Sequence, residues 1–282
     1  MLSVVVPTYN RAPVLARCLD ALAAQDPPPG EVVVVDDGST DDTPAVLAER
    51  RDSIRIVRQD NGGRAAAKNA GVDAARGDVV LFLDDDVIAT PGLVHLHAEH
   101  HRNRPEPHEA LLGHVTWAPE IEVTRHMHWL EHGGPLFAYD EIEDREDVPW
   151  KMLYTANVSL KREFLEPFDT DLPIFEDSEL AYRLTKKGLR LRYDPEALGW
   201  HLREETPERT ERRMREVGQA AARLHAKWPQ LHEDPPRMRA VGAVKARGAM
   251  ALQRVGVHAF DDALDSWRAA RAYRAGYLGV DS

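Results

Sequence analysis

The stretch Val79-Val80-Leu81-Phe82-Leu83-Asp84-Asp85-Asp86 decides the reading of this chain. Five apolar residues read as a buried strand, and three carboxylates follow where that strand runs out. An ionised carboxylate is costly to bury unless positive charge neutralises it. Three in succession at a strand end therefore point to a hard divalent cation, Mg²⁺ or Mn²⁺, which carboxylates commonly share with substrate phosphates. A solvated acidic turn is the alternative for an isolated Asp-Asp-Asp. This one is not isolated.

Upstream lies Leu2-Ser3-Val4-Val5-Val6-Pro7-Thr8-Tyr9-Asn10-Arg11, a β-branched run closed by Pro and a polar turn. A second run, Glu31-Val32-Val33-Val34-Val35, ends in Asp36-Asp37-Gly38-Ser39-Thr40. Between them, Leu15, Leu19 and Leu22 recur at helical spacing. Asp41-Asp42-Thr43-Pro44 opens another helix, with Pro suited to a first turn. Alternating strands and helices predict an α/β fold with a parallel, doubly wound sheet. Near-continuous Val runs fit strands covered on both faces. Ligands bind such sheets beyond the C-terminal ends of the strands. Tyr9, Asp37 and Asp84 to Asp86 all sit at such ends, so three loops converge on one crevice.

Val6-Pro7-Thr8-Tyr9-Asn10-Arg11, Val34-Val35-Asp36-Asp37-Gly38-Ser39-Thr40-Asp41, Asn61-Gly62-Gly63-Arg64 with Lys68-Asn69-Ala70-Gly71, and Phe82-Leu83-Asp84-Asp85-Asp86 resemble the family 2 glycosyltransferases in order and spacing. Phe175-Glu176-Asp177-Ser178-Glu179-Leu180, followed by Arg183-Leu184 and Gly188, resembles that family's acceptor-side acidic motif. The resemblance implies a GT-A fold: a mostly parallel central sheet flanked by helices. Residues 1–112 would form a Rossmann-like nucleotide-sugar half and residues 113–205 an acceptor half. Residues 206–282 would add a helical C-terminal extension.

The same resemblance assigns the chemistry. The donor is a nucleotide-diphosphate sugar, and the acceptor is a glycan, a lipid-linked molecule or a small molecule. Pro7 and Tyr9 would line the base and ribose, Asp37 would accept from a ring N–H of the base, and Arg11 would join the donor contacts. A capping role in the Gly-Ser-Thr turn also explains Asp36 or Asp37. Arg64 and Lys68 follow a Gly-Gly turn at a helix start, a place that favours anions such as a diphosphate. Lys68 reads equally well as a solvated helix residue. Asp86 would hold Mn²⁺ or Mg²⁺, with Asp84 and Asp85 on ribose or metal and His201 completing the shell. The metal would stabilise charge growing on the departing diphosphate. Asp177 would be the base of an inverting, direct displacement, and crowded carboxylates raise one another's pKa. Asn157 would position the sugar or acceptor through its amide. Two other functions share this sheet and acidic site: a non-catalytic nucleotide-sugar-binding protein and a sugar-phosphate nucleotidyltransferase. The latter wants a glycine- and basic-rich loop that Pro7-Thr8-Tyr9-Asn10-Arg11 does not supply.

Bulk properties narrow the setting. The chain has 282 residues and a formal charge of −11, which argues against nucleic acid as a partner. Cys18 is the one cysteine, so no internal disulfide forms and a reducing compartment is favoured; its helix position predicts a packed thiol. The first residues enter a strand with no apolar leader, and no run is long enough to span a bilayer. These features predict a cytoplasmic protein, and the resemblance implies cell-envelope polysaccharide synthesis. His97 and His101, four apart, read as a solvated helix face in preference to a zinc pair. The resemblance implies acceptor loops in residues 113–149, where Trp117, Trp129, Phe137 and Tyr139, with Trp150 beyond, would offer platforms for sugar rings. From residue 237 onward eight basic side chains face four acidic ones. A stripe of Val241, Val244, Gly248, Leu252 and Val255 predicts an amphipathic helix for a homodimer, the catalytic domain or the anionic inner face of a membrane.

Overall fold

Val4, Val5 and Val6 are fully buried in β1 (Leu2–Thr8), as are Val33 to Val35 in β2 (Glu31–Asp36) and Val80 to Leu83 in β4 (Val79–Leu83). Each such side chain contributes about 1.5–3 kcal/mol by leaving water, so these three strands anchor the fold. The computed structural model describes residues 1–231, 250 and 261–280. The stripe from Val241 to Val255 lies outside the described residues.

Two units emerge from the pattern of proximity, Met1–Glu122 with Tyr139–Arg203 and Val123–Ala138 with Glu204–Ser282. In the first, α1 (Ala12–Ala23) follows β1, and α2 (Thr43–Ala48), β3 (Arg55–Arg58) and α3 (Gly63–Ala74) lie between β2 and β4. Then come β5 (Val87–Ala89), α4 (Leu93–Asn103) and β6 (Glu109–Trp117). Helix α5 (Arg125–His132) belongs to the second unit, and β7 (Asn157–Lys161), α6 (Glu176–Thr185) and β8 (Arg190–His201) complete the first. The sheet order is β3-β2-β1-β4-β7-β6-β8-β5.

The half from β3 to β4 is wholly parallel, as the Val runs predict. The other half is mixed: β7 runs antiparallel to β4 and β6, β8 pairs parallel with β6, and β5 closes the edge antiparallel to β8. Winding reverses between β1 and β4, and a crevice opens at such a switch point. Strand β3 was not foreseeable from periodicity. It is a four-residue edge strand with Ile56 exposed and arginine at both ends, the charged character that protects sheet edges. Helix α3 lies close on β1 because residue 71 is glycine: a Cβ there would stand 2.3 Å from Val5 Cγ1.

Helix α4 overturns one expectation. His97, His100 and His101 are buried, not solvated. Nδ1 and Nε2 of His97 lie 2.8 Å from Ser159 Oγ and 2.9 Å from Asn157 Oδ1, and His101 Nε2 lies 2.9 Å from the same Ser159 oxygen. Burial pushes the pKa of His97 down to about 3 and that of His101 to about 2, so both are neutral. Cys18 is fully buried, as its helix position predicts.

The second unit holds α5, α7 (Pro207–Lys227) and α8 (Asp261–Leu278). Thr206 caps α7 by accepting from the N–H of Arg209 at 3.3 Å. Gly218 and Gly276 let α7 and α8 cross in close contact: a Cβ on Gly276 would stand 1.9 Å from Arg215 O, and one on Gly218 2.0 Å from Tyr273 O. His126 ties the three helices, with Nδ1 2.8 Å from Asp265 Oδ2 and Nε2 2.9 Å from Thr210 Oγ1. Trp129 is buried and donates to Ser266 Oγ at 3.1 Å. Trp117 and Tyr139 of the first unit are buried too. These three aromatic residues build core in place of the expected sugar platforms. Among the described residues no helix is long and apolar enough to cross a membrane.

Candidate active site

The three carboxylates after β4 take three different surroundings. Asp85 is buried and accepts from Thr8 Oγ1 of β1 at 2.6 Å. Burial, then the charge of Asp86, pushes its pKa up to about 7, against Arg11 and the Thr8 bond. Asp86 is 3 % exposed; Oδ2 accepts from Arg11 Nη1 at 2.7 Å, and Oδ1 lies 3.4 Å from Nε2 of His201. Burial alone would raise this pKa. The hydrogen-bonding and electrostatic interactions with His201, then the charges of Arg11 and Arg203, outweigh it and hold the carboxyl well below its usual range. Asp84 is half-buried; burial and Asp86 raise it, opposed by Lys68, Arg64 and His201.

His201 ends β8 beside the end of β6, where Trp117 is its register partner. The two rings stack with centroids 5.5 Å apart and planes 19° apart. His201 Nδ1 and Trp117 Nε1 are buried without hydrogen-bond partners. Asp86 supplies a hard carboxylate oxygen of the kind Mn²⁺ and Mg²⁺ take, and His201 adds an imidazole nitrogen, a donor better matched to a transition metal such as Mn²⁺ than to Mg²⁺. Among the described residues no group of three His, Cys, Asp or Glu side chains encloses a cation. Two protein donors would leave the remaining positions to phosphate oxygens and water.

A second cluster lies at the start of α6. Phe175 precedes the helix with φ +70°, a conformation rare for a non-glycine residue and typical of functional turns. Glu176 is 2 % exposed and accepts from Lys68 Nζ at 2.8 Å, with Arg64 Nε at 4.0 Å. Lys68 also donates to Thr155 Oγ1. Asp177 accepts from the N–H of Ser178 at 2.7 Å. Burial, then Glu176, pushes the Asp177 pKa up to about 6, against Lys68, the Ser178 N–H and Arg64. Lys68 and Arg64 act on both Asp84 and Asp177 and thus link the two clusters electrostatically.

Two of the expected contact residues, Lys68 and Asn157, hold protein partners. Lys68, 3 % exposed, is neither a solvated helix residue nor open to a diphosphate: it is held by Glu176 and Thr155. Asn157 is fully buried; its Nδ2 donates to the carbonyls of His114 and Ala197, so no donor remains for a sugar. Asp85 accepts one bond, from Thr8 to Oδ2, which leaves its other acceptor positions for ribose or metal. Asp37 keeps part of its expected freedom. Its oxygens accept from Gln59 Nε2 at 2.7 Å and from the N–H groups of Gly62 and Gly63 at 2.9 Å each, which latches the turn opening α3. A carboxylate accepts about four bonds, so one position stays free. Tyr9 is 46 % exposed beyond β1, and Arg64 is exposed at the first turn of α3.

Residues 3–168 match the model of Glycosyl transferase family 2. The chain belongs to that family. Validoxylamine A glucosyltransferase of Streptomyces hygroscopicus subsp. limoneus is 36 % identical over 230 residues, covering 71 % of this chain and 51 % of that protein. The chain thus spans about half the length of this family relative. Among solved structures, a mannosyltransferase from Pyrobaculum calidifontis in complex with GDP-Man and Mn²⁺ has a TM-score of 0.65 at 21 % identity, covering 98 % of this chain and 86 % of that one. Glucosyl-3-phosphoglycerate synthase from Mycobacterium tuberculosis, in complex with Mn²⁺, UDP and phosphoglyceric acid, has a TM-score of 0.56 at 19 % identity, covering 80 % and 78 %. At such identities the likeness establishes the fold, which is GT-A: a mostly parallel sheet flanked by helices.

Proposed function

We propose that this family 2 member transfers a sugar from a nucleoside-diphosphate donor to an acceptor hydroxyl, with inversion and with a divalent metal. The observation that carries the proposal is the pair Asp86 and His201, nearly closed to solvent and 3.4 Å apart at the switch point of the sheet. The metal-bearing complexes of the two structural neighbours support it by likeness.

In this reading Pro7 and Tyr9 line the base and ribose, and the free acceptor position of Asp37 takes a ring N–H. Asp84 and Arg64 face the ribose and diphosphate. Asp86 and His201 would hold Mn²⁺ or Mg²⁺, which supplies positive charge for the departing diphosphate. Displacement forms a bond between the acceptor oxygen and the anomeric carbon while the bond to the diphosphate breaks, its electron pair leaving on the diphosphate oxygen. Asp177 takes the hydroxyl proton. A carboxylate with a pKa of about 6 is ionised at neutral pH and more basic than an ordinary Asp, as a general base requires. Lys68 serves the site indirectly by neutralising Glu176 next to that base.

The test is turnover: UDP-, GDP- and dTDP-sugars are incubated with Mn²⁺ and the release of nucleoside diphosphate is followed. One donor hydrolysed slowly by the wild type, and not by Asp177→Asn, supports the reading. Equal rates in the two proteins would remove Asp177 from the base role.

A further inference from the structure

Asp86 presents its two oxygens to different partners: Arg11 Nη1 holds Oδ2 at 2.7 Å, while Oδ1 is 3.4 Å from His201 Nε2. Neighbouring ligands on an octahedral cation with bonds of about 2.1 Å sit about 3 Å apart. Oδ1 and Nε2 are thus spaced roughly as two adjacent ligands would be, and Oδ2 is occupied on the other side. We propose that Arg11 is a positioning residue for the metal site, pinning Asp86 through Oδ2 so that Oδ1 stays beside His201. This inference rests on the metal assignment above and changes the role of Arg11 from a donor contact to a support of Asp86.

Arg11 is well placed to do this. It directly precedes α1, and its N–H donates to Thr43 Oγ1 at 3.2 Å. The preceding Asn10 takes a φ of +54° and accepts from the N–H of Thr40 at 2.7 Å. The main chain at Arg11 is therefore anchored to the loop after β2, and the guanidinium reaches Asp86 from a fixed base. On the far side, the stack on Trp117 fixes the plane of the His201 ring. Ligand and partner are each braced, an arrangement that tunes metal sites through groups outside the coordination shell.

A rival role makes the opposite prediction. If Arg11 were only a counter-ion filling the site, removing it would leave Asp84, Asp85 and Asp86 less neutralised and would strengthen cation binding. The sign of the change therefore decides. Mn²⁺ alone is titrated into wild type, Arg11→Met, Arg11→Lys and Asp86→Asn, with free Mn²⁺ read by electron paramagnetic resonance and folding checked by thermal melting. A positioning role predicts roughly 10- to 100-fold weaker Mn²⁺ binding in Arg11→Met and partial recovery in Arg11→Lys, which still reaches one oxygen. Affinity in Arg11→Met equal to or tighter than wild type overturns the inference. Should Arg11→Met not fold, Arg11→Lys decides alone, and binding tighter than wild type overturns it. A wild type whose Mn²⁺ binding is absent or unchanged in Asp86→Asn overturns the metal assignment itself, and this inference with it.

Discussion

Lys68 Nζ stands 2.8 Å from Glu176 Oε1, with both side chains all but closed to solvent, and the partners are 108 residues apart in the chain. Breaking a buried ion pair from one side leaves a charge without compensation, at a cost of about 3–5 kcal/mol, whereas neutral replacement of both partners is far milder. Lys68→Met should lose that much in urea unfolding, and the double variant Lys68→Met/Glu176→Gln should regain most of it. Additive losses in the two single variants would show that the pair is not coupled.

The acid limb of activity should report Asp177. Because burial and Glu176 raise its pKa to about 6, kcat/KM for transfer should fall below pH ~6 as the base takes up a proton. A profile flat from pH 8 down to pH 5 would exclude this group.

The same shift has a stability consequence. Asp177 in the folded protein binds its proton more tightly than in the unfolded chain, where its pKa is about 3.9. Its contribution therefore declines as pH rises from about 4 to about 6 and stays unfavourable above that. Asp177→Asn, which removes the ionisation, should raise Tm at pH 8 and lose the advantage near pH 4. A Tm difference independent of pH would contradict the assignment.

Gly276 permits the close crossing of α7 and α8. A side chain there meets Arg215 O at 1.9 Å, and backbone cannot step aside as a flexible side chain would. Gly276→Ala should destabilise the protein by about 1–3 kcal/mol, seen as a lower melting temperature. An unchanged melting curve would mean that α7 and α8 do not cross this closely.

What the sequence made legible was local and strongly patterned. The Val runs of β1, β2 and β4, the turn after β2 and the acidic end of β4 each carry their signal within a few residues, and the parallel half of the sheet follows from them. Strand β3 escaped because Ile56 and Val57 are too short an apolar run between arginines. The mixed half escaped because antiparallel pairing of β7 with β4 leaves no periodic mark. Asp86, His201, Asp84 and Asp177 are nameable from motifs as candidates for the site. The burial of Lys68, Asn157 and His97 is not, since each is set by partners tens of residues away: Glu176, the Ala197 carbonyl and Ser159. His126 and Asp265, 139 residues apart, make the same point in the second unit. The positive φ of Phe175 had no signal in composition at all.

The most direct test of the account is calorimetric titration of UDP, GDP and dTDP into wild type and Asp86→Asn, each with Mn²⁺ and with EDTA. With a metal held by Asp86, one nucleotide should bind the wild type at least about tenfold more tightly with Mn²⁺, a difference of about 1.4 kcal/mol, and Asp86→Asn should bind it equally with either. Wild-type affinities that ignore Mn²⁺ for every nucleotide, or a metal dependence that survives in Asp86→Asn, would contradict it.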